Sequence, residues 1–210
     1  SDPLVWTFIA EQLVTLDRVL DGSPSQAAWR EIARARLAPK FAEVGWTPRA
    51  GQGDTVALLR EGLIRALGAL DDPTVVAESI ARFRRSAKEP GALPAAIRHP
   101  VLVVAARHAD SALWEEMHAR ARKATNPSEQ QELYTLLGAA LDPTLARRAL
   151  ELALGGEPPA TVAPAIIRTV AERHPALAYE FAVANESAVL ALVEASSRYS
   201  FIPALAQSSS

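Results

Sequence analysis

Four histidines, His99, His108, His118 and His174, are the side chains best suited to hold a metal or move a proton. A helical zinc peptidase needs His-Glu-x-x-His, which sets two imidazoles one turn apart on one helix face with a glutamate beside them. No pair of these histidines has that spacing. Glu116 and His118 are two residues apart and diverge on a helix, while His118 follows Trp114 by four, the spacing of a ring packed on an aromatic. The sequence has no cysteine, hence no thiolate ligand, disulfide or thiol nucleophile. Gly-x-Ser-x-Gly, the Walker pattern and Gly-x-Gly-x-x-Gly are also missing, so neither a serine-hydrolase elbow nor a phosphate cradle is present. Glu115/Glu116 and Asp71/Asp72 are adjacent pairs whose carboxylates diverge on a helix, and Asp72 precedes a proline as a cap. No catalytic, cofactor-binding or metal-binding residue is expected in this chain.

Partners driven by bulk charge are not expected either. Lys+Arg number 22 and Asp+Glu 24, a net charge of −2. The densest basic run, Arg82-Phe83-Arg84-Arg85 with Lys88 beyond it, carries one aromatic and reads as a solvated helix face. This predicts no nucleic-acid partner. No apolar run reaches the roughly 18 residues of a membrane span, and residues 1–20 lack the basic start and cleavage site of a signal peptide, so no membrane partner is expected. The absence of cysteine suits a reducing compartment such as the cytoplasm. Trp6, Trp29 and Trp114 fall in apolar helical phase and read as core residues; Trp46 follows a glycine in a loop.

The elements that position these residues are helices. Hydrophobic residues make up 49% of the 210 and aromatics 6%, with Ala and Leu dominant and no alternating β-branched stretches. Leu59, Leu63, Ile64, Leu67 and Leu70 form an apolar stripe at spacings of three and four, as do Leu133, Leu136, Leu137 and Leu141. Fifteen prolines punctuate the chain. Ser23-Pro24, Asp72-Pro73, Asn126-Pro127 and Asp142-Pro143 read as helix starts, because proline suits the first helical position and the residue before it caps the open N–H groups. Pro39 and Pro100 should kink or restart their helices. The predicted helices lie near 4–20, 24–43, 54–70, 73–87, 99–107, 111–124, 127–140, 143–154, 161–173, 176–184 and 187–196. Gln207 to Ser210 should fray.

Two connections nearly repeat: Leu67-Gly68-Ala69-Leu70-Asp71-Asp72-Pro73-Thr74 and Leu137-Gly138-Ala139-Ala140-Leu141-Asp142-Pro143-Thr144. Helix starts at 73, 111, 143 and 175 recur every 32–38 residues or so, the period of a helix-hairpin solenoid. Each hairpin has an apolar face that only a neighbour can bury. The expectation is an all-α superhelix of antiparallel hairpins, of the HEAT or armadillo kind, with residues 1–210 as one helical-repeat domain. Residues 45–53 and 88–98 read as loops within it.

The order of features carries a resemblance. Gly45-Trp46 leads to Leu58-Leu59-Arg60, then come Asp72-Pro73, Ala81-x-Phe83, Leu93-Pro94, Trp114-Glu115, Leu136-Leu137-Gly138-Ala139, Asp142-Pro143, Arg173-His174-Pro175, Tyr179-x-Phe181 and Asn185. This resembles the C-terminal helical domain of the zinc aminopeptidases of the aminopeptidase N, puromycin-sensitive and endoplasmic-reticulum type, across essentially the whole chain. Those relatives commonly carry Gly-Glu where Gly51-Gln52 stands and Trp where Tyr179 stands, and they continue beyond Phe201-Ile202-Pro203.

The resemblance implies a parent that removes N-terminal residues from peptides, with zinc held by an upstream catalytic domain. That domain's Gly-x-Met-Glu-Asn and His-Glu-x-x-His motifs are absent here. This chain would then be a non-catalytic fragment lacking its last helices. Its partners would be the catalytic domain of the same parent and the peptide substrate. A peptide's free carboxylate wants an arginine, which can engage both oxygens. Arg173, beside the Arg-His-Pro turn, is the first candidate for a substrate-facing residue; its plainer role is to stabilise the end carbonyls of its own helix. Arg60, mid-helix, reads as a partner in a structural ion pair. The alternative is a free-standing α-solenoid that binds a protein or peptide, although the tetratricopeptide pattern does not recur.

Overall fold

Prolines at the first or second position mark six of the helix starts among the described residues. In the computed structural model, which describes residues 2–49 and 51–206, Asp72 Oδ1 accepts from the Thr74 and Val75 N–H groups at 3.1 and 2.9 Å. Asn126 Oδ1 accepts from Ser128 and Glu129 at 2.9 and 3.2 Å. Asp110 takes the Leu113 N–H at 2.7 Å and Asp142 the Thr144 N–H at 2.7 Å. Each cap is worth about 1 kcal/mol. Among the described residues the result is twelve α-helices, three short 3-10 helices and no strand, an all-α fold.

The chain divides into two compact units. The first, Ser1–Ala105, holds α1 (Pro3–Val19), α2 (Gln26–Val44), α3 (Asp54–Ala69), α4 (Pro73–Arg85), a 3-10 turn (Pro90–Ala92) and nearly all of α5 (Ala95–Arg107). Helix α3 packs against α1, α2 and α4. Leu37, Leu59, Leu63, Ile64, Phe83 and Ile97 are buried, each contributing about 1.5–3 kcal/mol of transfer free energy. A polar tie closes the end of α3. Arg30 pairs with Asp17 at 2.7 Å and with Asp71, and Arg34 donates to the Leu70 and Asp71 carbonyls at 3.0 and 3.1 Å. Asp71 is held at φ 57°, a left-handed conformation that costs a non-glycine residue about 1–2 kcal/mol. The two arginines secure it there.

The second unit, Ala106–Ser210, holds α6 (Ser111–Lys123), α7 (Pro127–Leu136), a 3-10 turn (Leu137–Ala139), α8 (Pro143–Leu154) and α9 (Ala163–Ala171). It continues with α10 (Pro175–Ala184), α11 (Glu186–Leu192), a 3-10 turn (Ala195–Ser197) and α12 (Arg198–Leu205). Within it α6 packs on α7, α7 and α8 on α9, α9 on α10, and α10 on α12. Short connections make such neighbours antiparallel. Trp114, Met117, Leu150, Ile167 and Phe201 are among the buried residues.

The near-repeated Leu-Gly-Ala segments have a packing reason. A Cβ on Gly138 would stand 2.8 Å from the Ile166 carbonyl oxygen of α9, and one on Gly68 would stand 2.3 Å from Val104 Cγ2 of α5. Each glycine marks the point where another helix passes too close for a side chain.

Several boundaries differ from expectation. Ser23-Pro24 opens no helix: α2 begins at Gln26 after Ser25, and the Ser25 N–H donates to Ser23 Oγ at 3.3 Å inside a turn. Neither Pro39 nor Pro100 restarts its helix; both lie inside continuous ones. The residues four positions before them, Ala35 and Ala96, are exposed, so water can satisfy the carbonyl that each proline leaves without a donor. Helix α5 starts at Ala95, directly after Pro94. Helix α7 tightens into a 3-10 turn at Leu137, since Ala140 is already extended ahead of the Asp142 cap. Helix α12 was not anticipated. Residues 207–210, expected to fray, and Ala50 of the 45–53 loop lie outside the described residues.

Candidate functional site

Arg173 lies in the short turn between α9 and α10 and is exposed. Main-chain donors take two of the end carbonyls of α9. The Glu172 N–H reaches Arg168 O at 3.1 Å, and the Arg173 and His174 N–H groups reach Val170 O at 3.2 and 2.8 Å. His174 Nε2 bonds to Ala140 O at 2.9 Å, tying the turn to the segment that leads into α8. Arg173 is thus carried on a fixed turn, the kind of support a recognition residue needs.

A second polar cluster joins α6, α7, α8 and the 155–162 loop. His118 Nε2 contacts Glu157 Oε1 at 2.5 Å, and because a carboxylate only accepts, that nitrogen carries the proton. Tyr134 Oη donates to the same oxygen at 3.0 Å. On the other side of the imidazole, Glu115 stands 3.8 Å from Nδ1 and accepts from Arg148 Nη2 at 2.6 Å. Arg148 covers the Trp114 ring at 4.4 Å, and Trp114 Nε1 donates to Leu137 O at 3.1 Å.

Environment separates the titrations. Burial, reinforced by the bond to Glu157, pushes the Tyr134 phenol up to about 12. Burial pushes the Glu157 carboxyl up too, but the hydrogen bonds from His118 and Tyr134 outweigh it and hold the group below its ordinary range. Glu115 is lowered first by its bond from Arg148. A phenol held near 12 is a poor acid at neutral pH, and the nearby carboxylates are committed to holding their partners. The cluster works as a latch on the 155–162 loop rather than as an acid–base pair.

The latch has a pH signature. Carboxylates with depressed pKa contribute stability that is complete above the unfolded value of about 4.3 and lost as pH falls through the lower folded value. Tyr134 acts in the opposite sense: its share is complete below about 10, the unfolded value, and fades as pH rises through about 12. Urea midpoints followed by Trp114 fluorescence are expected to fall at both extremes, and Glu157→Gln should flatten both flanks.

In the first unit, Trp46 meets Phe41 edge-on at 5.0 Å between ring centroids, with Arg82 over its face at 4.9 Å. Trp6 is half-buried under Arg36 and Lys40, and Trp29 is half-buried with its indole N–H on Leu13 O at 3.1 Å. Of the three tryptophans expected in the core, only Trp114 is fully buried. Arg60 corrects the ion-pair expectation. It is 1% exposed and donates to Gly45 O at 2.9 Å, to Val44 O at 3.4 Å and to Gln52 Oε1, with no carboxylate among these partners.

The sequence showed Trp114, Glu115 and His118 on one helix by their spacing. It missed Glu157, 39 residues from His118, because no motif announces a loop glutamate that reaches back to an earlier hairpin.

Among the described residues no three His, Asp or Glu side chains form a metal-binding group, and no helix is long and apolar enough to cross a membrane. The sequence model of the ERAP1-like C-terminal domain matches residues 1–210. The chain belongs to that family and is a C-terminal domain of an aminopeptidase.

Proposed function

We propose that this chain is the non-catalytic wall of a zinc aminopeptidase: it encloses the catalytic cleft and helps select peptide substrates. The zinc, the metal-bound chemistry and the catalytic residues belong to an upstream domain of the same parent. This domain acts by geometry. A helical wall over the cleft excludes folded substrates and bulk water and offers side chains to the far part of a peptide. The family match over residues 1–210 carries the reading.

Arg173 is the proposed contact for a peptide's free carboxylate, and its place on a turn anchored by His174 favours that role. In the parent enzyme, Arg173→Ala should raise KM for long peptides roughly tenfold, the loss of one charge-assisted bidentate contact. Hydrolysis of a single-residue alanyl chromogenic substrate should stay unchanged. Equal effects on both substrates would refute a role at the distal end of the peptide. The chain by itself should not cleave the alanyl substrate, with or without added zinc; zinc-dependent cleavage would overturn the division of labour. A free-standing scaffold is the second reading, favoured only by the absence of catalytic motifs, and an upstream His-Glu-x-x-His in the parent frame excludes it.

A further inference from the structure

His174 stands directly before Pro175, as Asn126 and Asp142 stand before Pro127 and Pro143. Those two residues cap α7 and α8 with their side chains, whereas His174 gives α10 no side-chain cap. Its imidazole is turned elsewhere. Because a carbonyl only accepts, Nε2 carries the proton and donates to Ala140 O at 2.9 Å, across 34 residues of sequence. The far end of this tie is fixed. Ala140 is buried, the Leu141 N–H donates to Arg107 O at 2.9 Å, and Gly138 lies against the Ile166 carbonyl of α9 with no room for a methyl. At the near end the His174 N–H reaches Val170 O at 2.8 Å, and the Ala178 N–H reaches His174 O at 2.9 Å. Those main-chain bonds end α9 and begin α10. The imidazole bond is what fastens their turn to the segment leading into α8.

We infer that His174 is the positioning residue of the carboxylate site: through Ala140 O it sets where the neighbouring Arg173 guanidinium stands. The inference rests on the proposal that Arg173 receives a peptide's free carboxylate. A bidentate contact meets both oxygens in one plane and tolerates errors of only about 0.5 Å and 10–20°. With the tie cut, the turn is in register for a fraction of the time, and apparent affinity falls by that fraction. The missing cap supports this role over a purely local one. A short polar side chain before Pro175 would serve α10 better as a helix start, and the imidazole serves the tie instead.

The test uses the parent enzyme with one long peptide bearing a free C-terminal carboxylate and the same peptide amidated. His174→Ser removes the imidazole and offers α10 a cap, while His174→Gln keeps an N–H donor at similar reach. His174→Ser is expected to raise KM for the free peptide about fivefold at unchanged kcat, and His174→Gln to stay near the wild-type value. KM for the amidated peptide should not move in either variant. In the Arg173→Ala background His174→Ser should add nothing, because it acts through Arg173 alone. An unchanged KM in His174→Ser, a His174→Gln variant equally impaired, or rises that multiply in the double variant overturn the positioning role. So does an equal rise with the amidated peptide, the mark of a general structural loss, which a thermal melt of the same preparation would register. The two readings fail separately. If Arg173→Ala raises KM and His174→Ser does not, only the positioning role falls; if Arg173→Ala leaves the free peptide unaffected, the carboxylate site itself is refuted and His174 has nothing to position.

Discussion

Arg60→Met is expected to lower the stability of the first unit by roughly 3–5 kcal/mol, the summed cost of leaving three hydrogen-bond acceptors without their donor. The Val44 and Gly45 carbonyls sit at the end of α2, where the helix offers no further N–H groups. Arg60 supplies those donors from α3 and holds Gln52 of the intervening loop as well. Lysine cannot replace the planar fork, so Arg60→Lys should recover little. Burial lowers the guanidinium's pKa, aided by the charge of Arg49, yet an arginine remains charged at neutral pH. Its missing counter-charge is open to test. Gln52 accepts from Arg60 and from the Arg49 N–H at 3.1 Å through a single oxygen. Gln52→Glu keeps both bonds, makes them charge-assisted and should add about 1 kcal/mol. A lower urea midpoint for Gln52→Glu would show that burying the second charge outweighs the pairing.

Gly138→Ala should be nearly as damaging, at about 3 kcal/mol, because the new methyl meets the Ile166 carbonyl oxygen at 2.8 Å and α9 must move to accept it. Gly68→Ala meets a side chain instead, Val104 Cγ2 at 2.3 Å, and valine's branched Cβ leaves it few other rotamers. The two sites differ in whether they can be rescued. Val104→Ala should relieve Gly68→Ala, with a coupling of at least ~1 kcal/mol in a double-mutant cycle. Val170→Ala should not relieve Gly138→Ala, since main chain rather than side chain blocks the methyl. Thermal melts of the four single and two double variants read both results.

The helices were legible where an Asp or Asn cap stood before a proline, though not at Ser23-Pro24. Asp72, Asn126 and Asp142 fixed their starts to the residue, because one short side chain and one pre-set φ decide them locally. Legibility failed where solvent or packing decides instead. Pro39 stays inside α2 because Ala35 is exposed, and α12 forms around Phe201 and Ile202, which are buried by other helices rather than marked by period. The turn carrying Arg173 was readable as Arg-His-Pro. Its anchor, the His174 bond to Ala140 O, joins residues 34 apart and leaves no mark in either segment. Glu157 escaped for the same reason. Arg60 was picked out as structural but given the wrong kind of partner, since the loop residue that reaches it is the neutral Gln52.

The stepwise packing of the second unit bears on how it comes apart. Helix α12 rests on α10, and Arg168 of α9 covers the Phe201 ring at 4.9 Å. Lifting the last helix away exposes the buried Phe201, Ile202 and Leu205 and opens the Arg198 Nε bond to Val193 O at 3.1 Å. Amide protons of α12 should therefore exchange through partial unfastening, at a free energy below that of α8 and α9, whose amides wait for the whole unit to open. Protease susceptibility would follow the same gradient, with the first cuts after Tyr199 or Phe201 and the stretch around Ile167 the last to yield.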